Sequence, residues 1–202
     1  MTPALSRRLD QILPRITDNI FLSSEGIGNE IACYIFDYPS DSELEVREHI
    51  EVILKNLSSH QSKLSVLHLN LLDVSTRYLE KRGLLDKALK MQLTKNDAAV
   101  LKALEKPLAA ERISGFIADE HKPDEYDLFI LSGVGSVWPM LRAHSLLNCL
   151  HKVIGHTPLV MFYPGKFDGM TLNLFGRVTT TISKPGSKPY YRAFSLVPEE
   201  KE

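Results

Sequence analysis

Two continuous apolar runs near the C-terminus each stop abruptly in a glycine loop, and they constrain the fold more than any other feature of the chain. The first occupies residues 128–139 and the second residues 158–169. Apolar runs of this kind are typical of strands buried on both faces, as in a parallel sheet. Parallel sheets place binding sites beyond the carboxyl ends of their strands. The sequence therefore predicts where a site lies, although no catalytic set of residues is complete.

Strand and helix patterns alternate along most of the chain, which predicts one α/β domain over residues 1–202, a three-layer sandwich with a mainly parallel central sheet. Helical spacing predicts an amphipathic helix over residues 3–17, bent or ended by Pro14, with a lead-in to residue 22. A long helix is predicted after Gly135, with Pro139 in its first turn. The two C-terminal strands are close enough in sequence to add an antiparallel edge, and residues 183–189 between them are predicted to form a mobile loop. The predicted strands cover residues 31–38, 64–72, 127–132, 159–163, 178–182 and 190–197.

Composition indicates a cytoplasmic globular protein. The 202 residues suffice for one well-buried domain, and the net charge of −1 provides no overall positive field for nucleic acid or a membrane surface. Cys33 and Cys149 are far apart and each lies in an apolar run, which favours free buried thiols in a reducing compartment. No apolar run approaches the roughly 20 residues that span a bilayer. We therefore expect no membrane contact.

The glycine loops suggest an anion site, but the motifs are incomplete. A strand, a glycine loop and a helix N-terminus form such a site together, and residues 132–138 supply that order. Trp138 occupies the third glycine position of a dinucleotide-binding motif, and Phe167 replaces the hydroxyl residue that would hold magnesium after Gly165 and Lys166. The fold thus resembles phosphate-loop folds without a Walker A motif. Two interpretations stay open: the glycines only permit tight turns, or the loop binds an anion or nucleotide.

Polar residues on the following helix do not form a metal site. His144, Asn148 and His151 fall on one side of the predicted helix, behind Arg142. His144 and His151 are two turns apart, about 10 Å along the axis, and cannot share a metal. This side of the helix therefore faces a partner or a neighbouring loop, or it is a functional polar face at the carboxyl edge of the sheet.

Three aspartates near strand ends leave a weaker possibility open. Asp168, beside Lys166, either caps a turn or acts as a metal ligand or base. Asp37 and Asp73 lie near the ends of the first two predicted strands. If the three carboxylates converge, they permit magnesium binding and metal-dependent hydrolysis.

Nucleophilic arrangements are absent from the sequence pattern. There is no G-x-S-x-G, neither Ser132 nor Ser136 has an identifiable base, and Cys149 lies mid-helix. We therefore expect no enzyme activity and no cofactor. The candidate interaction or ligand edge consists of Gly133, Gly135, Trp138, Arg142, His144, Asn148, Gly165, Lys166 and Asp168.

Several blocks of residues, in one order over one domain length, resemble the BrxB family of BREX phage-defence systems. The resemblance covers nearly the whole chain. Its most specific blocks are residues 36–38 with the acidic helix 43–49, then 82–88, 131–139 with 142–148, 162–169 and 190–194.

The resemblance implies a small cytoplasmic component of a multi-protein anti-phage system that marks host DNA by adenine methylation and blocks replication of unmarked phage DNA. The implied partners are a large BREX ATPase, a PglZ-type phosphatase-like protein and a PglX-type methyltransferase, with DNA contacted only through the complex. No catalytic residues are established for the family, so none are carried over. We expect a non-enzymatic assembly or adaptor subunit; the alternative is a nucleotide- or nucleic-acid-binding regulatory subunit with a degenerate phosphate-loop-like site.

Overall fold

The structure is a computed structural model that describes residues 2–23, 32–59, 64–181 and 192–199. Its strands are β1 (Ala32–Tyr38), β2 (Val66–Asn70), β3 (Leu128–Ser132), β4 (Leu159–Phe167), β5 (Thr171–Leu174), β6 (Val178–Thr181) and β7 (Arg192–Ser195). Its helices are α1 (Pro3–Asp10), α2 (Ile12–Ile16), α3 (Asn19–Ser23), α4 (Glu43–Leu57), α5 (Leu71–Lys81), α6 (Leu85–Thr94), α7 (Asp97–Glu105), α8 (Ala110–Glu120), α9 (Val134–Val137) and α10 (Ala143–Leu150).

The central sheet has the order β2-β3-β4-β1-β7, and each of these neighbouring pairs is parallel. Along β1, Tyr34 and Phe36 face a core shared with α1, α2 and α4, whereas Cys33 and Ile35 face a core shared with α5, α8 and α10. All five residues of β3 are buried, as expected for a strand covered on both faces. The predicted α/β sandwich with a mainly parallel sheet is confirmed.

The antiparallel part of the sheet contains one of the two strands predicted for it, β6, but not the other. β4 continues past the parallel sheet and pairs with β5, which pairs with β6, and both pairings are antiparallel. The last strand, β7, instead lies parallel to β1, with Cys33 opposite Ala193. A short turn joins β4 to β5, and so short a connection permits only antiparallel pairing. The loop predicted at residues 183–189 lies outside the described residues.

Two prolines interrupt helices, one as predicted and one not. The N-terminal helix breaks at Gln11, one turn before Pro14, because Pro14 has no N–H for the carbonyl of Asp10. The prediction of a long helix carrying Pro139 in its first turn is wrong. α9 ends at Val137, Trp138 is extended before a cis bond to Pro139, and α10 begins only at Ala143. The residue before a proline is disfavoured in helical geometry, which ends α9 at this point.

The long connection from β2 to β3 is helical throughout. Asn70 caps the first of these helices by accepting a hydrogen bond from the backbone of Leu72. α6 and α7 pack as a pair beyond α5, and no residue of α6 is fully buried. Within the described ranges, no helix is long and apolar enough to cross a lipid bilayer.

Candidate functional site

The glycine loop after β3 is filled by side chains of the protein itself. Gly133 has a φ of 71°, and a Cβ at this position would lie 2.5 Å from Oδ1 of Asn70. A Cβ on Gly135 would lie 2.9 Å from the ring of Phe175 and 3.0 Å from Pro164. Both glycines are therefore required by close packing, in agreement with the tight-turn interpretation. An anion on the Gly135 side of this loop would have to displace the Phe175 ring.

The second glycine loop also serves internal packing. Gly165 pairs with Leu174 of β5, and a Cβ on it would lie 2.1 Å from the carbonyl oxygen of Asn173. The exposed Lys166 forms an ion pair of 3.6 Å with Glu199, which follows β7. Because β3 and β7 lie on opposite sides of β4, this contact directs Lys166 away from the loop after β3. Lys166 thus does not face Gly133 and Gly135, as a nucleotide site built from both loops would require.

Asp168 caps the turn between β4 and β5. Its carboxylate accepts hydrogen bonds from the backbone of Met170 at 2.8 Å and from both the backbone and the hydroxyl of Thr171. These hydrogen bonds, led by the one from the Thr171 hydroxyl, lower the pKa of Asp168. The turn-capping interpretation accounts for this aspartate.

Asp37 is buried in an ion pair that the sequence did not reveal. Its Oδ1 lies 2.7 Å from a guanidinium nitrogen of Arg8, and its Oδ2 accepts a hydrogen bond from the backbone of Phe167. Arg8 also donates to the carbonyls of Asp37 and Val197. The pair therefore joins α1, the end of β1, the extension of β4 and the segment after β7. The sequence signal that could have indicated a buried ion pair is the position of Arg8 on the apolar side of α1, beside Leu9.

The carboxylates do not form a metal site. Asp37 and Asp168 are engaged as described, and Asp73 lies in the first turn of α5, after β2. β1 and β2 are separated by two strands, so their ends lie roughly 14 Å apart. In the part of the chain that the structure describes, no group of three His, Cys, Asp or Glu residues is placed to hold a metal ion. The prediction that Asp37, Asp73 and Asp168 converge on one metal ion is therefore wrong.

A polar network ties α4 to the loop after β3. Tyr38 donates to Glu43 at 2.7 Å, and Arg47 donates to the other oxygen of Glu43 at 2.7 Å. Arg47 also donates to the hydroxyl of Ser136 at 3.0 Å. Burial, with a smaller effect of Glu43, raises the pKa of Tyr38. Ser136 thus accepts a hydrogen bond from a cation, an arrangement that does not activate a hydroxyl as a nucleophile.

The expectation that Ser132 has no base beside it is wrong. Nε2 of His68 lies 2.8 Å from Oγ of Ser132, because β2 and β3 are adjacent and Asn70 is opposite Ser132. Burial lowers the pKa of His68, which favours the neutral ring. Ser132 itself is buried, so the pair joins two strands rather than presenting a nucleophile to a substrate.

The half-buried imidazole of His68 should make the protein less stable in mild acid. The unfolded chain binds a proton at this histidine below about pH 6.5, whereas in the folded protein the pKa is lowered, so stability falls as the pH drops through this range. We expect His68→Gln to lose less stability than the wild type between pH 7.5 and 5.5, measured by urea unfolding. His156→Gln, at an exposed position, is the control. An equal loss of stability in the wild type and in His68→Gln would contradict the assignment.

The exposed part of the carboxyl edge is the segment around the cis peptide bond. Trp138 is 38% exposed and packs edge-on against Phe175, with the ring centroids 6.2 Å apart. On one side of this segment lies a cavity of about 150 Å³, lined among others by Arg142 and His144. On the other side, a cavity of about 400 Å³ lies against α7 and α8. The first is smaller than most small-molecule sites, which span roughly 300–1,000 Å³.

Polar groups on α10 bond to one another beside this segment. The side-chain amide of Asn148 lies 3.2 Å from Nε2 of His144, and burial lowers the pKa of His144. Nδ1 of His151 is buried, and it has no hydrogen-bond partner among the residues that the structure describes. Of the candidate residues, the structure brings Trp138, Arg142 and His144 together around one cavity. Gly133, Gly135, Gly165 and Asp168 have packing or capping roles, and Lys166 faces Glu199.

Comparison with known proteins gives a consistent result. A family profile described as "BREX protein BrxB" matches residues 67–196. A protein named BREX protein BrxB from Escherichia coli O9:H4 (strain HS) is 38% identical over 197 residues, which cover 98% of this chain and 94% of that protein. One of the same name from Bacillus cereus (strain H3081.97) is 40% identical over 197 residues, covering 96% and 97%. No solved structure matches the chain significantly.

Proposed function

The chain belongs to the BrxB family of BREX proteins, and on this premise we propose that it is a non-enzymatic assembly component that bridges other subunits of a BREX system. The proposal rests on which side chains are packed and which are exposed at the carboxyl edge of the sheet. Asn70, Phe175 and Pro164 pack closely against Gly133 and Gly135 in the loop after β3, and Gly165 in the second loop packs against the backbone of β5. What the edge leaves exposed is an aromatic and a cationic side chain, Trp138 and Arg142.

We call Trp138, Pro139, Arg142 and His144 the edge surface. Tryptophan and arginine are the residue types that most often dominate the energy of protein interfaces. The adjacent cavity of about 150 Å³ suits the insertion of a partner side chain better than a cofactor. A net charge of −1 supports contact with DNA through the complex rather than directly.

The proposal identifies the partners as other BREX subunits: the PglZ-type phosphatase-like protein, the large ATPase or the PglX-type methyltransferase. The test is a pull-down of the tagged chain after co-expression with the remaining subunits of its system. The proposal expects recovery of at least one of them with the wild type. If the wild type recovers none of these subunits, the proposal is wrong.

Substitutions in the edge surface should weaken this recovery. We expect Trp138→Ala and Arg142→Glu each to lower the recovered partner by about tenfold or more, since truncated hot spots have effects of this size. Lys122→Glu, at an exposed position near the opposite edge of the sheet, is the matched control and should recover the partner normally. Circular dichroism melts check that the variants fold.

Calorimetry separates this proposal from a nucleotide-binding role. With ATP, GTP and a short DNA duplex, an assembly component with an occupied glycine loop is expected to give no binding heat at physiological salt. Saturable binding that Phe175→Ala strengthens would instead indicate an anion site that competes with the ring.

A further inference from the structure

α6 carries apolar side chains that nothing in the described structure covers. Leu89 is 55% exposed and Leu93 is 86% exposed. They are four residues apart and therefore neighbours on one side of the helix. The half-buried Leu85 and Ala88 already pack α6 against the core of the protein. The exposed leucines are thus surplus to the packing of the domain.

Positive charge is concentrated around these leucines. Residues 81–95 contain five Lys or Arg and one Asp, a net charge of +4, whereas the whole chain carries −1. Lys81 pairs with Glu120, and Arg82 lies over the ring of Tyr78. The remaining three cations of this segment make no ion pair within the described ranges; they are the exposed Lys87, Lys90 and Lys95.

From this juxtaposition we propose that α6 is a docking site for an acidic, apolar groove on another BREX subunit. The inference rests on the proposed function, since a bridging subunit needs two separate contact surfaces. The edge surface would be one and α6 the other. Leucines at i and i+4 on a helix match the mode in which a helix lies in an apolar groove. The free lysines supply complementarity to carboxylates at the rim of that groove and reject basic surfaces.

The same features favour a protein over DNA as the occupant. DNA interfaces are polar, wet and rich in phosphate contacts, and exposed leucines contribute nothing to a phosphate contact. Lysines alone on this segment would fit either partner. Leu89 and Leu93 lie among these lysines, and an exposed leucine pair fits a protein groove that excludes water.

The test compares two matched double variants in the co-expression pull-down. Leu89→Glu/Leu93→Glu alters the proposed docking site, and Leu44→Glu/Val52→Glu alters α4, where the exposed fractions are similar at 70% and 53%. We expect the α6 variant to lose one BREX subunit by about tenfold or more and the α4 variant to retain it. Lys87→Glu/Lys90→Glu, which removes no apolar contact, should lose the same subunit, and wild-type recovery should fall as salt is raised.

The outcomes separate the two proposals. If the wild type recovers a subunit and both α6 variants recover it equally well, the α6 proposal is overturned while the assembly function stands. If the wild type recovers no subunit, both fall. If a 30-base-pair duplex is shifted by the wild type and not by Lys87→Glu/Lys90→Glu, α6 is a nucleic-acid contact and the protein assignment is overturned.

Discussion

Arg8→Met is expected to lower the free energy of unfolding by about 3–5 kcal/mol, because it leaves the buried carboxylate of Asp37 without its cation. Arg8 also donates to the carbonyl of Val197, so the variant frees the segment after β7 from α1. Urea unfolding measures the effect. Arg7→Met, at an exposed position next in the chain, is the matched control and should change stability by less than about 0.5 kcal/mol.

A double variant shows whether the loss comes from an unpaired charge. Replacing both partners, as in Arg8→Met/Asp37→Leu, removes the buried charge altogether, and apolar substitutes for buried ion pairs are often tolerated. We expect this variant to be more stable than Arg8→Met alone. If Arg8→Met and Arg7→Met are equally stable, the ion pair of Arg8 and Asp37 does not stabilise the fold as we expect.

Gly165→Ala is expected to lower the free energy of unfolding by about 3 kcal/mol, at the upper end of overpacking costs, since the new Cβ would lie 2.1 Å from a backbone oxygen of β5. The clash between the new Cβ and this oxygen is relieved only if β4 and β5 separate. Gly115→Ala is the matched control: it lies in α8 with nothing near its Cβ and should be neutral or stabilising by up to about 1 kcal/mol. Thermal and urea unfolding of both variants measure the difference.

Gly135→Ala tests the same idea for the loop after β3, where the obstacle is a side chain. Its Cβ would meet the ring of Phe175 at 2.9 Å. Because a side chain can be shortened, Phe175→Leu in the same chain should recover part of the stability lost in Gly135→Ala. No comparable rescue exists for Gly165→Ala. A Gly135→Ala variant of normal stability would show that the ring does not fill this loop.

The main features of the fold were predictable because they depend on local patterns. β3 and the first five residues of β4 are continuous apolar runs, and such runs predict buried parallel strands without knowledge of their neighbours. The helix break before Pro14 follows from one missing N–H. The parallel pairing of β7 with β1 depends on tertiary packing and does not follow from local sequence.

The candidate site was harder to predict because its glycines are explained by distant residues. Phe175 is 40 positions from Gly135, and Arg8 is 29 positions from Asp37, so no spacing in the sequence joins them. A glycine loop after a buried strand has the same sequence pattern whether it holds a phosphate or an aromatic ring. The sequence therefore predicted where the carboxyl edge lies. Only the structure shows that the ring of Phe175 packs against the glycine loop there.

The central claim is that the carboxyl edge meets another protein and not a phosphate. A cryo-electron-microscopy structure of the chain bound to the other BREX subunits measures this directly, through the exposed fraction of Trp138. We expect Trp138, 38% exposed in the isolated chain, to be buried against a neighbouring subunit together with Arg142. An assembled complex in which both residues stay exposed, or in which a nucleotide occupies the loop at Gly133 and Gly135, would contradict the account.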